Sequence, residues 1–354
     1  MAHPDVATVA ELPAFDAIVD VRSPGEFAED RIPGAWNCPV LDDAERARVG
    51  TTYAQESPFA ARKVGAALVA RNIAHHIETR FAGFPRSWRP LVYCWRGGQR
   101  SGSMTLVLRQ IGWDARQLGG GYRAFRRSVV SDLDMLPGQH RFQVICGPTG
   151  SGKSRLLRAL TARGAQVIDL EALASHRGSL LGDMPMEAQP SQKAFETSLW
   201  AALRGCDPAR PIFVEAESKR IGRLRVPETL ILRMRDSGCL RVRSDTSVRV
   251  DLLMQEYEHF FATPERLAAI LDALVPLHGH EVVRQWQRWI DAAEWPTLVR
   301  DLLDRHYDPA YGRSIASHFL GYADADEVTV ARLDDYDRVA ADLVASSTAS
   351  ETPA

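Results

Sequence analysis

Two short segments of this 354-residue sequence place reactive residue types at chemically useful spacing. The first is Tyr93-Cys94-Trp95-Arg96-Gly97-Gly98-Gln99-Arg100-Ser101. A cysteine ends an apolar run, a glycine-containing loop follows, and a helical pattern begins. Such a loop aims several backbone N–H groups at the sulfur, and the helix N-terminus adds positive potential. Arg96 and Arg100 lie close by in sequence. All three effects favour thiolate over thiol, and the same cradle suits an oxyanion. Cys94 is therefore a candidate nucleophile or carrier. The plainer alternative is a buried cysteine closing a core strand, and the arginines and paired glycines weigh against it.

The second segment, Gly147-Pro148-Thr149-Gly150-Ser151-Gly152-Lys153-Ser154, fits GxxxxGK[ST] at every defined position. An apolar run precedes it and a helical pattern follows, as a phosphate-binding loop requires. Glycines let the backbone curl so that its N–H groups hold phosphate oxygens, and the next helix adds its positive end. Lys153 brings a point charge to the terminal phosphates, and Ser154 is a Mg²⁺ ligand of the kind such loops use. A nucleotide hydrolase also needs an apolar strand ending in an aspartate for Mg²⁺. Here the corresponding run is Ile212-Phe213-Val214-Glu215, with Glu217 two residues on. Glu215 is the metal-ligand candidate, yet the match is imperfect. The loop specifies phosphate or diphosphate binding more firmly than nucleotide hydrolysis.

The elements that position these loops read as alternating strands and helices, the pattern of a parallel α/β sheet. Strands are expected over 14–22 and 90–94, with helices over 57–82 and 101–111, the latter stopping at Gly112. Gln117-Leu118-Gly119-Gly120-Gly121 reads as a strand end and glycine turn. Leu136-Pro137-Gly138-Gln139-His140 reads as a linker. The pattern then restarts with strands at 142–146, 166–170, 211–215 and 228–233. Residues 248–306 read as helical, and 346–354 as a disordered tail.

Composition bounds the class. Hydrophobic residues are 45% and charged residues 25%, ordinary for a globular chain with more than one core. No apolar run approaches the roughly 20 residues that span a bilayer, and residues 1–11 lack a signal-peptide pattern. The chain thus reads as cytoplasmic, with no membrane partner. The five cysteines contain no CxxC pair, so neither a zinc site nor a disulfide framework is indicated. Net charge is −2, but residues 204–249 hold 11 Lys+Arg against 6 Asp+Glu. Within it the arginine-rich stretch 220–243, Arg220 and Arg223 included, is a candidate for RNA backbone contact; a solvated face of scattered arginines is the alternative.

Asp20-Val21-Arg22-Ser23-Pro24-Gly25-Glu26-Phe27 and Arg31-Ile32-Pro33-Gly34-Ala35-Trp36-Asn37 resemble the N-terminal signature of rhodanese domains. Cys94 to Ser101 is similar to the rhodanese active loop. With the phosphate loop downstream, the wording Cys-Trp-Arg-Gly-Gly-Gln-Arg-Ser resembles the tRNA 2-selenouridine synthase family. So do His176-Arg177-Gly178-Ser179, Gln189-Pro190-Ser191-Gln192 and Tyr307-Asp308-Pro309-Ala310-Tyr311. Ala216 departs from the family pattern, in which an acidic residue is expected between Glu215 and Glu217.

The resemblance implies an α/β protein with a rhodanese-like parallel-sheet domain over 1–136, a P-loop α/β domain over 137–247 and a helical C-terminal region over 248–345. It implies exchange of the 2-thio sulfur of the tRNA wobble uridine for selenium through an S-geranylated intermediate. Geranyl diphosphate and selenophosphate are the co-substrates it implies, with tRNA as partner. Gly147, Thr149, Gly150, Ser151, Gly152, Lys153 and Ser154 would bind the prenyl diphosphate, with Mg²⁺. Cys94 would serve the selenium step, by perselenide formation or by orienting selenophosphate, and Arg96 and Arg100 would hold the anion. Trp95 stacks on the base, lines a prenyl channel or simply packs. Asp169, Glu171, His176 and Arg177 follow a strand end where ligands commonly bind. There Arg177 is read as a phosphate or tRNA contact, and His176 as a proton shuttle or a structural histidine. A P-loop phosphotransferase or NTPase with a regulatory rhodanese domain is the competing reading; a rhodanese fold without chemistry is a third.

Overall fold

The computed structural model describes residues 5–184 and 187–349. Its packing separates two units. One is the chain up to Asp132 together with Pro190–Ala201; the other is Leu133–Gln189 together with the chain from Ala202.

The first unit is built on five short strands, β1 (Val6–Ala7), β2 (Ala17–Asp20), β3 (Trp36–Asn37), β4 (Pro90–Tyr93) and β5 (Arg116–Leu118). Every pairing is parallel, in the order β1-β5-β4-β2-β3. All four residues of β4 are buried, as expected of a central strand covered on both faces. Val19, Val92, Met104, Leu108 and Trp113 form its core. Helix Gln99–Ile111 stops where Gly112 takes a φ of 112°. Helix Pro58–His76 begins with the Ser57 hydroxyl capping Ala60 N–H at 3.0 Å.

The second unit holds a second all-parallel sheet, from β6 (Phe142–Cys146), β7 (Gln166–Ile168), β8 (Ile212–Glu215), β11 (Gly238–Ser244) and β12 (Gly321–Val330), in the order β12-β11-β6-β8-β7. A small antiparallel ribbon, β9 (Arg220–Ile221) and β10 (Leu224–Arg225), projects from it.

Three sequence expectations change here. The linker at 136–140 is instead the end of helix Gly121–Gln139, which contains Pro137. Proline forfeits the bond to the carbonyl four residues back, and Thr229 Oγ1 satisfies that carbonyl, Leu133 O, at 2.8 Å. Residues 228–233 are helical (Glu228–Arg235), because Leu230, Ile231 and Met234 bury one face while Leu232 is 56% exposed. The arginine-rich stretch 220–243 is spread over several elements. It divides into the β9-β10 ribbon, that helix and β11, whose Cys239, Leu240 and Val242 are buried. The region after 248 is helical over most of its length, as expected. It supplies β12 and helix Asp335–Ala349, whose Tyr336, Val339 and Ala340 join the sheet's core. That helix includes 346–349 of the expected tail; 350–354 lie outside the described residues.

Candidate active sites

Cys94 directly follows β4. From β2 the chain leaves toward β3 on one side, and from β4 toward β5 on the other. This divergence opens a crevice at the carboxyl ends of the strands. The loop around Cys94 is shaped by close backbone approach. Gly121 has φ 57°, and a Cβ there would lie 2.5 Å from Gly97 N. Gly97 has φ 65°, and its Cβ would lie 2.6 Å from Leu118 O. Only glycine fits either place. Tyr122 N–H donates to Cys94 O at 2.8 Å and Arg123 N–H to Trp95 O at 3.1 Å, so the next helix holds the loop from behind.

Cys94 is 3% exposed. Gly98 N–H donates to Cys94 Sγ at 3.3 Å and the Ser101 hydroxyl at 3.1 Å. Burial pushes the Cys94 thiol up, but hydrogen bonds from the Ser101 hydroxyl and from the N–H groups of Ser101, Gly98 and Arg96 outweigh it. The net position is below the ordinary thiol range. Burial leaves the thiols of Cys38 and Cys206 above that range. Cys146 and Cys239 share a hydrogen bond on neighbouring strands, which raises the first and lowers the second.

Arg100 does not face the sulfur as an anion clamp. Its guanidinium pairs with Glu26 at 2.7 Å and 3.3 Å, because that carboxylate, fixed by Ser23 N–H at 3.1 Å, is its partner across the turn. Arg96 is exposed, and its backbone N–H is what acts on Cys94. Trp95 stacks on Tyr122 with centroids 5.2 Å apart, and Lys193 Nζ lies 5.8 Å from its ring centroid. Trp95 thus has a packing role here.

Behind the loop lies a buried polar network that single motifs do not reveal. Tyr122 Oη donates to Asp30 Oδ2 at 2.7 Å, and Thr197 Oγ1 donates to the same oxygen at 3.0 Å. Burial and the bond to Asp30 hold the Tyr122 phenol far above its ordinary range, so it stays a donor. Arg22, 1% exposed, pairs with Asp20 at 2.7 Å and donates to Asp30 O at 2.7 Å. Thr197 and Asp30 are 167 positions apart, which is why sequence spacing gave no signal.

The phosphate loop follows β6. Gly150 and Gly152 take φ values of 76° and 77°, and helix Lys153–Ala162 starts immediately after. Lys153 Nζ donates to Gly147 O at 2.8 Å. Arg249 Nε donates to Thr149 O at 2.9 Å, and its Nη1 pairs with Asp308 at 2.9 Å. This pairing gives the Tyr307-Asp308-Pro309 segment a physical role that its sequence did not disclose. Tyr336 Oη donates to Ser151 O at 3.1 Å.

A cavity of about 910 Å³ opens over the loop. Thr149, Gly150, Gly152, Lys153 and Ser154 line it, together with Asp169, Glu171, His176, Arg177 and Glu217. Ser154 Oγ donates to Glu171 Oε2 at 3.0 Å. Glu171 N–H in turn donates to Glu215 Oε1 at 2.8 Å. Glu215 is 1% exposed, and its Oε2 has no hydrogen-bond partner. Burial, and then the charges of Asp169, Glu171 and Glu217, hold it well above the carboxylate range. Glu215 therefore supports Glu171 from below and does not line the cavity. Burial and then Glu171 push Glu217 up to about 8, with Lys153 pulling it back. Among the described residues, no group of three or more His, Cys, Asp or Glu is arranged to hold a metal.

His176 Nδ1 accepts Gly178 N–H at 3.0 Å, and its Nε2 lies 3.6 Å from Asp183 Oδ1. Nδ1 thus serves the turn, while Nε2 lies beside Asp183 at the cavity wall. Asp169 Oδ1 caps Ala172 N–H at 2.7 Å. Arg177 Nη1 donates to Glu256 O at 2.6 Å while its guanidinium lies over Tyr257, 4.7 Å from the centroid. Arg220 and Arg223 are exposed on the ribbon and do not line the cavity; Lys219 does.

A parallel α/β unit presenting a cysteine in a glycine loop, followed in the same chain by a P-loop α/β unit, defines a rhodanese and P-loop protein. A family model described as rhodanese-like domain matches residues 6–128, and one described as tRNA 2-selenouridine synthase AAA domain matches 140–269. The chain is 36% identical over 300 residues to a tRNA 2-selenouridine synthase of Nitrosomonas europaea, covering 81% of this chain and 77% of that protein. It is 33% identical over 329 residues to one of Alcanivorax borkumensis, covering 83% and 88%, and 34% identical over 326 residues to one of Shewanella halifaxensis, covering 83% and 87%. The chain belongs to the tRNA 2-selenouridine synthase family. No helix among its described residues is long and apolar enough to cross a membrane.

Proposed function

We propose that the chain converts 2-thiouridine at a tRNA wobble position to 2-selenouridine in two steps, each at its own site. In the first, the diphosphate of geranyl diphosphate rests on Gly147 to Ser154. The nucleobase sulfur displaces it: the S–C bond forms, the C–O bond breaks, diphosphate leaves, and the N3 proton is lost. Ser154 and Glu171, already 3.0 Å apart, would hold a Mg²⁺ ion accompanying the diphosphate, with water and phosphate oxygens completing its shell. The ion would neutralise charge on the leaving group. Lys153 serves the same end from the loop, and Arg177, on the cavity wall, would contact phosphate.

In the second step Cys94 acts on selenium supplied as selenophosphate. A perselenide on Cys94 would require a two-electron oxidant, because thiolate and selenophosphate selenium are both fully reduced. Orienting selenophosphate within the N–H cradle requires none, and is the role we assign. Selenium of selenophosphate bonds to C2 of the base as the C2–S bond breaks and the geranylated sulfur leaves as the thiol; water then cleaves the Se–P bond, phosphate leaves, and a proton returns to N3. The observation that carries this reading is the Cys94 sulfur held by Gly98 N–H and the Ser101 hydroxyl in a chain that also carries an intact phosphate loop.

The test is nucleoside mass spectrometry of 2-thiouridine tRNA incubated with the protein, geranyl diphosphate and selenophosphate. Cys94→Ala should abolish 2-selenouridine while S-geranyl-2-thiouridine persists. Lys153→Ala should lower geranylation by at least about tenfold, the loss of one charge-assisted contact. The reverse pattern would sink the assignment, and robust ATP turnover without tRNA would favour a phosphotransferase.

A further inference from the structure

The loop that presents Cys94 is bordered by cations that neither proposed step uses. Arg123 and Arg127 lie near the start of helix Gly121–Gln139, both exposed. Arg123 N–H donates to Trp95 O at 3.1 Å, so this residue sits against the loop. Arg127 Nη2 lies 3.6 Å from the point where a Cβ on Gly120 would stand, and a Cβ on Gly97 would lie 3.0 Å from Gly120 N. Arg127 therefore borders the same glycine cradle. Arg96, exposed within the loop itself, is the third.

Other cations of this unit are matched. Arg22 pairs with Asp20 at 2.7 Å, Arg100 with Glu26 at 2.7 Å, Lys193 with Glu29 at 2.7 Å, and Arg126 with Glu196. Asp30 is taken by Tyr122 and Thr197. Among the described residues, the guanidiniums of Arg96, Arg123 and Arg127 make no hydrogen bond and no ion pair. Two electrostatic effects oppose this arrangement. Arg123 and Arg127 are like charges four residues apart on one helix face, and Arg123 also meets the positive end of the helix. Anions above the turn relieve both.

A small anion has its seat already, in the N–H groups gathered about the buried Cys94 sulfur. Exposed guanidiniums spread over loop and helix suit successive phosphates instead. We propose that Arg96, Arg123 and Arg127 grip the phosphates of a single-stranded RNA segment and so set the reacting nucleotide over Cys94. This rests on the reading that tRNA is the substrate, and it assigns the positioning to the helix that follows the active loop. The contacts are to backbone and carry no sequence information. A single strand is the fitting form, because its unstacked base can turn into the crevice.

Fluorescence anisotropy of a labelled anticodon stem-loop RNA carrying 2-thiouridine, titrated with the full chain at several salt concentrations, tests this. Arg123→Gln/Arg127→Gln should weaken binding by about tenfold and make the plot of log affinity against log salt shallower by about 1.4, at about 0.7 for each single-strand phosphate. Arg123→Lys/Arg127→Lys, which keeps the charge, should recover most of both. The RNA should also shield Cys94 of the unmodified chain from iodoacetamide, and the glutamine variant should lose that shielding at the same RNA concentration. Arg96→Gln alone, expected to lower the slope by about 0.7, decides the matter if the double variant does not fold. An unchanged affinity and slope, or RNA that binds without shielding Cys94, would overturn the grip. So would a glutamine variant that loses shielding by thiophosphate while keeping its RNA affinity, since the arginines would then hold a small anion. Failure of the unmodified chain to bind the stem-loop would instead remove the tRNA reading, and the grip with it.

Discussion

At the scale of single residues, reactivity follows from which groups reach which atoms. Cys94 is lowered through donors aimed at its sulfur, with burial opposing. A hydrogen bond to a charged group contributes about 1.5–3 kcal/mol, so removing the Ser101 hydroxyl should move the thiol upward. We expect Ser101→Ala to slow iodoacetamide alkylation of Cys94 at pH 7 by roughly tenfold. The plateau rate at high pH should be unchanged; an unaltered profile would mean Ser101 is only a packing residue. Glu217 makes an opposite case. Its folded position, about 8, lies above the ordinary 4.5. A group raised on folding binds protons more tightly when folded, so its contribution is fully present below about pH 4.5 and is lost as pH rises through about 8. Glu217→Gln should flatten the pH dependence of urea-unfolding stability across that window. The same slope in both proteins would show that Glu217 is not buried as described.

At the scale of elements, the two loops work because glycines let backbone meet backbone. Gly121 is held at φ 57° between Cys94 O and Gly97 N. A left-handed conformation costs a residue with a Cβ about 1–2 kcal/mol, and the overlap adds to that. Gly121→Ala should therefore lower urea stability by about 2 kcal/mol or more and abolish the enhanced alkylation rate of Cys94. A variant that kept both would show that the Gly119-Gly120-Gly121 turn does not brace the active loop. The Arg249–Asp308 pair acts similarly on the second loop, holding Thr149 O from a helix that begins 97 positions later.

At the scale of the whole molecule, chain order is a poor guide to which residues fold together. The P-loop sheet is completed by β12, and helix Asp335–Ala349 packs on helix Lys153–Ala162 across a shared core. Tyr336 reaches the phosphate loop itself through Ser151 O. Tyr336→Ala should cost about 3 kcal/mol, as for other buried aromatics cut to alanine, and weaken pyrophosphate binding. Tyr336→Phe should recover most of the stability, leaving about 1 kcal/mol for the lost hydrogen bond. Pyrophosphate affinity unaffected by either change would separate the C-terminal helix from the loop's shape.

Much of this protein was legible in one dimension. Cys94 with its paired glycines, and Gly147 to Ser154 with Lys153, are contiguous motifs. Their chemistry needs only neighbouring backbone atoms, so order along the chain suffices to specify it. Strands β2, β4, β6 and β8 were legible for a related reason: a strand buried on both faces must be a short apolar run. What only the tertiary structure decided involves partners far apart in sequence. Arg100 turned to Glu26, Asp30 gathered Tyr122 and Thr197, and Glu215 sank beneath Glu171. β11 carries arginines and β12 exposed acids, so neither announces itself by composition. A charge or hydroxyl takes its role from whichever group packing brings within about 3 Å, and that neighbour is set by the fold rather than by the motif.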